Sequence, residues 1–186
     1  PILIQDNDTR GNVWGLSFAR PFDMANSSGL FLQAGDLDDA TFDGWSYRLG
    51  GIEYVPLYEG KMLGYFDHRY GTYRNATQAQ LNQGKLPRVP DADHDNPNDL
   101  EPLARHWVDR AVVTAALVDR WDRDWLLGWR RVARTSDSRT FISSVLPATA
   151  IGDSFFLAFP QNPKHGPLLH ATWSSLAFDY IARQKV

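Results

Sequence analysis

The residues of this chain best equipped for chemistry are arginines. In WLLGWRRVAR (125–134), strand alternation predicts Arg130, Val132 and Arg134 on one face, with Trp129 and Arg131 on the other. At roughly 3.3 Å per residue, Arg130 and Arg134 would stand about 13 Å apart, close to the roughly 12 Å width of a DNA major groove. A guanidinium presents a planar fork that can grip a phosphate, or the O6/N7 edge of guanine, through two hydrogen bonds. The following TSDSR (135–139) brings Ser138 and Arg139, a hydroxyl and a further guanidinium of the kind that hold phosphate oxygens. The same types also serve structure: Arg130 or Arg131 could pair with Asp122, Asp124 or Glu59 across a sheet.

A second stretch, VPLYEGKMLGYFDHRYGTY (55–73), carries Lys61, His68 and Arg69 among five rings, Tyr58, Tyr65, Phe66, Tyr70 and Tyr73. Large rings supply core, and they also supply platforms for stacking on bases or sugars. Tyr58 and Phe66 are expected in the core. The formal net charge of −3 argues mildly against a nucleic-acid partner, but its distribution argues less, because a basic footprint is a local property. Residues 59–88 hold five Lys or Arg (61, 69, 74, 85, 88) against two acids, and residues 119–140 hold six Arg against four acids. Residues 91–101 hold five acids and no base.

Catalytic and cofactor signatures are missing from the sequence. There is no GxGxxG, GxxxxGK[ST], HExxH or GxSxG. DLDD and DADHD lack the Gly that a calcium loop needs, the five His show no ligand spacing, and there is no Cys for a thiolate zinc site or a disulfide. No metal site is expected. No apolar run approaches the roughly 20 residues needed to cross a bilayer, and no charged-then-apolar leader opens the chain. Lack of Cys fits a reducing cytoplasm, the expected location.

Those groups need elements to position them. At 186 residues the chain fits one domain with a sizeable core. ILIQ, GNVWGLSFARPF and SSGLFLQAGDL read as strands, and DDATFDGWSYRLGG as a loop. Residues 52–69 read as one or two strands bent near Glu59 and Gly60. NATQAQLNQ reads as a helix that Asn75 could cap, and residues 89–102 as an acidic, Pro-rich loop. AVVTAALVDRW reads as a helix, WLLGWRRVAR, RTFISSVLP and DSFFLAF as strands. The closing LLHATWSSLAFDYIARQKV reads as one amphipathic helix with Leu169, Trp173, Leu176, Ala177 and Tyr180 on its apolar face. Strands first and helices inserted predict a mixed α+β domain with a mostly antiparallel sheet.

Three ordered blocks, VPLYEGKMLGYFDHRYGTY, GWRRVARTSDSRTFISSVLP (128–147) and LLHATWSSLAFDYIARQKV (168–186), resemble the adenine-specific DNA methyltransferases of type II restriction-modification and related phage-defence systems. NVWGLSFARPFDMANSSGLF (12–31) resembles the region before them, so the resemblance spans most of the chain. It implies a target-recognition-domain-like fold, a fragment of a larger chain that clamps duplex DNA while a methyltransferase domain of the same parent modifies adenine at N6. The family's Asn-Pro-Pro-aromatic motif is not present: NPND and QNPK lack the second Pro and the aromatic. The fragment is therefore expected to be non-catalytic and to hold no cofactor, S-adenosylmethionine belonging to the parent. The resemblance extends to parents that also act as endonucleases. Carried onto this sequence, the implied DNA-binding residues are Lys61, His68, Arg69 and Arg74, and Arg130, Arg131, Arg134, Ser138 and Arg139. Base reading is expected in the loop 73–88; the loop 91–106 is a second candidate, but its five carboxylates would be repelled by phosphates, so it is expected to face away from DNA or to contact another domain. The competing expectation is a free-standing carbohydrate-active hydrolase using a carboxylate pair. A protein-docking module is a third.

Overall fold

The structure, a computed structural model, describes residues 11–95, 104–133 and 137–184. In chain order the described strands are β1 (Leu16–Ala19), β2 (Leu32–Gln33), β3 (Thr41–Phe42), β4 (Tyr47–Leu49) and β5 (Ile52–Tyr58). Helices α1 (Gln78–Asn82) and α2 (Asp91–His94) follow, then β6 (His106–Asp109) and α3 (Arg110–Leu117). The second half holds β7 (Trp125–Arg130), β8 (Ser143–Pro147), β9 (Ala150–Ile151), β10 (Phe155–Pro160), α4 (Gly166–Trp173) and α5 (Leu176–Arg183). The class is mixed α+β, as the element pattern predicts.

The strands form two sheets. One is antiparallel in the order β1-β10-β7-β8; the other runs β2-β6-β5-β4-β3, with β9 added parallel to β5. The main core lies between them: Val55, Leu57, Trp107 and Val108 from one sheet meet Leu126, Leu146, Phe155, Leu157 and Phe159 from the other. Val113 and Leu117 of α3 join this core. On the opposite side of the first sheet, Leu16, Leu127 and Ala158 pack on Leu169 and Trp173 of α4. Strand β7 is thus covered on both faces, which is why WLLGW reads as a continuous apolar run rather than an alternating one. The alternation survives in which layer each residue enters. Leu126 goes to the inter-sheet core and Leu127 to the helix layer. Continuing that alternation sends the Arg130 side chain to the inter-sheet side.

Several expectations are corrected. The strand 125–134 ends at Arg130, and the backbone amide of Arg131 donates instead to the Ser154 carbonyl at 2.9 Å. Arg134 lies outside the described residues. The expected loop 38–51 contains the β3–β4 hairpin, where Asp43 replaces strand propensity by accepting bonds from the amides of Trp45 and Ser46. The helix cap is Thr77 rather than Asn75, with Gln80 completing a reciprocal capping box. The closing helix is two helices. Ser175 takes an extended conformation and caps Leu176–Arg183 through the Phe178 amide, which rotates the second segment off the expected stripe. Leu176 and Tyr180 are consequently 76% and 68% exposed. Phe66 is not core either, being 65% exposed, whereas Tyr58 is fully buried. The run ILIQ and the second half of the acidic loop (96–102) lie outside the described residues; the first half of that loop forms α2. Among the described residues no helix is long and apolar enough to cross a membrane.

The closest approach between sheet neighbours is at Gly128, where a Cβ would overlap the Phe156 carbonyl oxygen and the Phe155 ring. Gly128→Ala should therefore cost about 1–3 kcal/mol. A lower midpoint in urea with an unchanged m-value is the expected result.

Candidate functional site

After β5, the chain turns at Glu59 into a 3₁₀ turn, Gly60–Met62, and runs through residues 63–69 to Tyr70. From Tyr70 it leaves the body as a loop and returns at Val89. The neck is closed by Thr72 donating to the Pro87 carbonyl (3.1 Å) and Val89 to the Tyr70 carbonyl (3.1 Å). Inside the loop, α1 ends in a Schellman arrangement: the Lys85 amide donates to Gln80 and the Gly84 amide to Leu81, both at 2.9 Å. Gly84 adopts φ +65°, the left-handed conformation this ending requires. That ending fixes where Lys85 departs from the helix.

Loop, 3₁₀ turn and the end of β7 together enclose a cleft of about 560 Å³. Lys61, Lys85, Arg88 and Arg130 line it against two carboxylates, Glu59 and Asp137, with Tyr70, Leu86 and Val132 among the apolar lining. Tyr70 organises the cations. Its ring lies against the backbone of Gly64, where a Cβ would come within 2.6 Å of it. The Arg88 and Arg130 guanidinium carbons stand 5.0 and 5.4 Å from the ring centroid, within cation–π range. Arg130 is anchored further by Nε and Nη2, which both donate to the Leu63 carbonyl, Nε at 2.7 Å. Burial lowers the Arg130 pKa, but a guanidinium starts so high that it stays charged.

Lys61 forms the other wall. Its Nζ is 3.1 Å from Glu59 and 5.1 Å from the Tyr73 ring centroid. The Tyr73 hydroxyl donates to the same Glu59 carboxylate. Burial, followed by the adjacent Glu59 charge, pushes the Tyr73 hydroxyl far above the usual phenol range, so it remains a donor. Behind this group sits His106. Burial and the nearby cations Arg105 and Lys61 hold its pKa below the usual histidine value, although Glu59 opposes them.

The remaining described candidates do not line this cleft. Arg131 pairs with Asp153 at 3.0 Å. Arg139 runs inward, donating to the Ser174 carbonyl (2.9 Å) and the Tyr65 hydroxyl (3.2 Å), with Asp179 at 3.8 Å. Arg69 donates to the His94 carbonyl at 3.0 Å and so holds α2 against the body. His68 is half-buried in the same segment, while Arg74 and Ser138 are exposed. Arg183 pins residues 137–140 by donating to the Thr140 hydroxyl (2.9 Å) and the Asp137 carbonyl (3.2 Å). Lys85 and Arg88 were not singled out as candidates by sequence; their signal is the excess of bases over residues 59–88. No group of three His, Asp or Glu placed to hold a metal ion occurs among the described residues. No family model, curated protein or solved structure matches this chain.

Gly84→Ala places a Cβ in the left-handed region, so the loop should loosen by about 1–2 kcal/mol. Faster amide exchange at Lys85, with exchange in β5 and β7 unchanged, is the expected readout. A second outcome follows from the histidines. Burial lowers the folded pKa of His170, and that of His106 falls as described. Below pH about 6.5 the unfolded chain therefore binds protons that the folded chain resists, and stability falls as pH falls. His106→Gln and His170→Gln should each flatten that slope in denaturant titrations between pH 7 and 5.

Proposed function

We propose that this chain is the double-stranded DNA-binding target recognition region of an N6-adenine DNA methyltransferase, itself non-catalytic and acting beside a methyltransferase domain of the same parent. The observation that carries the reading is the cationic cleft. Lys61 and Tyr70 come from the first block that resembles this family, Arg130 from the second, and they meet although the blocks lie far apart in sequence. An open, two-cation surplus suits a phosphate backbone, which supplies much of the affinity in such complexes. Arg88 and Lys85, on the outer loop, are the groups with the reach to touch phosphates or base edges. Lys61 and Arg130, held by neighbours, set the floor. S-adenosylmethionine has no part in this chain's own chemistry on this reading; it belongs to the parent.

The carbohydrate-hydrolase alternative would need Glu59 and Asp137, which line the same cleft. However, Glu59 already accepts from Tyr73 and pairs with Lys61, which suits a fixed structural anion better than a proton donor.

Fluorescence anisotropy with mixed-sequence duplex DNA at two salt concentrations tests the proposal. Affinity should fall steeply as salt rises. The double reversal Lys85→Glu/Arg88→Glu should weaken binding and reduce the magnitude of the log–log salt slope by about 2, at roughly 0.9 per phosphate contact. Salt-independent binding, or none, would refute the reading.

A further inference from the structure

Beside helix α4 stands a turn with an unusual tip. Phe66 has φ +57°, a left-handed conformation that a bulky side chain rarely adopts, and its ring is 65% exposed. Both features oppose ordinary folding preferences: the backbone is strained and the apolar ring stays in water. The turn is held in this state from several sides. Gly64 and Asp67 exchange backbone hydrogen bonds at 2.6 and 3.4 Å. The Leu63 carbonyl before it is gripped by Arg130. Tyr65 lies edge-on to Phe66 with ring centroids 5.0 Å apart and is backed by the Arg139 guanidinium at 4.8 Å. The His170 ring supports Phe66 from below at 4.7 Å. Strain that the surroundings impose on an exposed group is a mark of use rather than of packing.

Position supplies the use. Gly64 carries the Tyr70 ring of the cleft, and Phe66 is two residues further on. Two trans peptide units bring its Cα within about 7.6 Å of the Gly64 Cα, a span of two to three base pairs at 3.4 Å each. We infer that Phe66 is a stacking wedge: it enters the duplex between adjacent bases when the cleft cations engage the phosphate backbone. The inference rests on the DNA-binding reading above. Apolar side chains inserted at a base step unstack it and kink the duplex by roughly 20–90°. A ring already held out to solvent loses little freedom on insertion, which is the advantage of keeping it exposed.

The test begins by using the 186-residue chain to select duplexes from a randomised pool. Selected duplexes are then labelled at both ends for energy transfer, and separately substituted with 2-aminopurine one adenine at a time. The wild-type chain should shorten the end-to-end distance and brighten 2-aminopurine at one step. Phe66→Ala should lose both signals and bind roughly 5- to 100-fold more weakly, the range expected for one lost base–aromatic stack, with the salt slope unchanged. Phe66→Leu should keep most of the kink. Should Phe66→Ala fold poorly, Phe66→Asn truncates the ring with a residue that tolerates the left-handed region. Equal kinking and brightening by the truncated variants overturns the inference while salt-dependent binding leaves the DNA reading standing. So does selective binding by the wild type with no kink, which would make Phe66 a cover for the apolar groove of Val145, Pro167 and His170. Failure to select any duplex overturns both.

Discussion

One guanidinium joins the two halves of this fold at the place where the cleft opens. Arg130 ends the central strand of the first sheet, enters the inter-sheet side because of its register, and donates twice to the Leu63 carbonyl of the segment leaving the second sheet. A buried carbonyl without its partner is costly, and a charged donor satisfies it better than a neutral one. The same group lies on the Tyr70 ring, which in turn lies on Gly64. Remove that chain of contacts and the loop 70–89, the cleft and the Phe66 turn all lose their common reference.

The division of the cations follows from this. Lys61 and Arg130 are neutralised or hydrogen-bonded within the fold, so they contribute potential more than adaptable contacts. Lys85 and Arg88 are exposed on a loop tied at its neck, by the Tyr73–Glu59 hydrogen bond and by the packing of Tyr73 and Leu86 on the core. A fixed floor with an adjustable rim suits a ligand whose backbone is regular and whose base edges vary. It also accounts for Glu59 in a basic cleft: with Tyr73 and Lys61 it orients one wall, and four cations still outnumber the two acids.

The sequence was legible where both periodicity and turn chemistry were strong. Strands β1, β5, β7, β8 and β10 and helix α3 fall where apolar runs predict them, because each fills a layer of core. The α+β class followed from their order. It misled where side-chain hydrogen bonds to the backbone outvote apolar spacing: Asp43 makes a hairpin tip, Thr77 displaces Asn75 as cap, and Ser175 breaks the last helix. Of the cleft, Lys61 and Arg130 were visible as residue types, but their sharing one cleft was not, since they stand 69 residues apart in the chain. Arg139 had the right chemistry for a surface contact, yet a buried Asp179 and the Ser174 carbonyl draw it inward. Nothing in the local pattern distinguishes an arginine that holds a carbonyl from one that faces solvent.

That ambiguity has a physical root. Arginine's five donors and long apolar stem let it satisfy backbone carbonyls at chain ends as readily as external phosphates. Arg69, Arg130, Arg139 and Arg183 each donate to main-chain oxygens here, tying down α2, the 63–64 segment, the α4–α5 junction and residues 137–140 respectively. Arg69, Arg130 and Arg139 meet in the 63–70 segment, so the basic residues of the two sequence blocks first serve to hold an irregular, loop-built surface in one shape. A cleft made of loops rather than of sheet needs such clamps to be preorganised, and preorganisation lowers the entropy lost on binding. On the proposed reading, structural and binding roles of the arginines are successive uses of the same charge: those turned inward give the surface its form, and those left on its rim would touch the ligand.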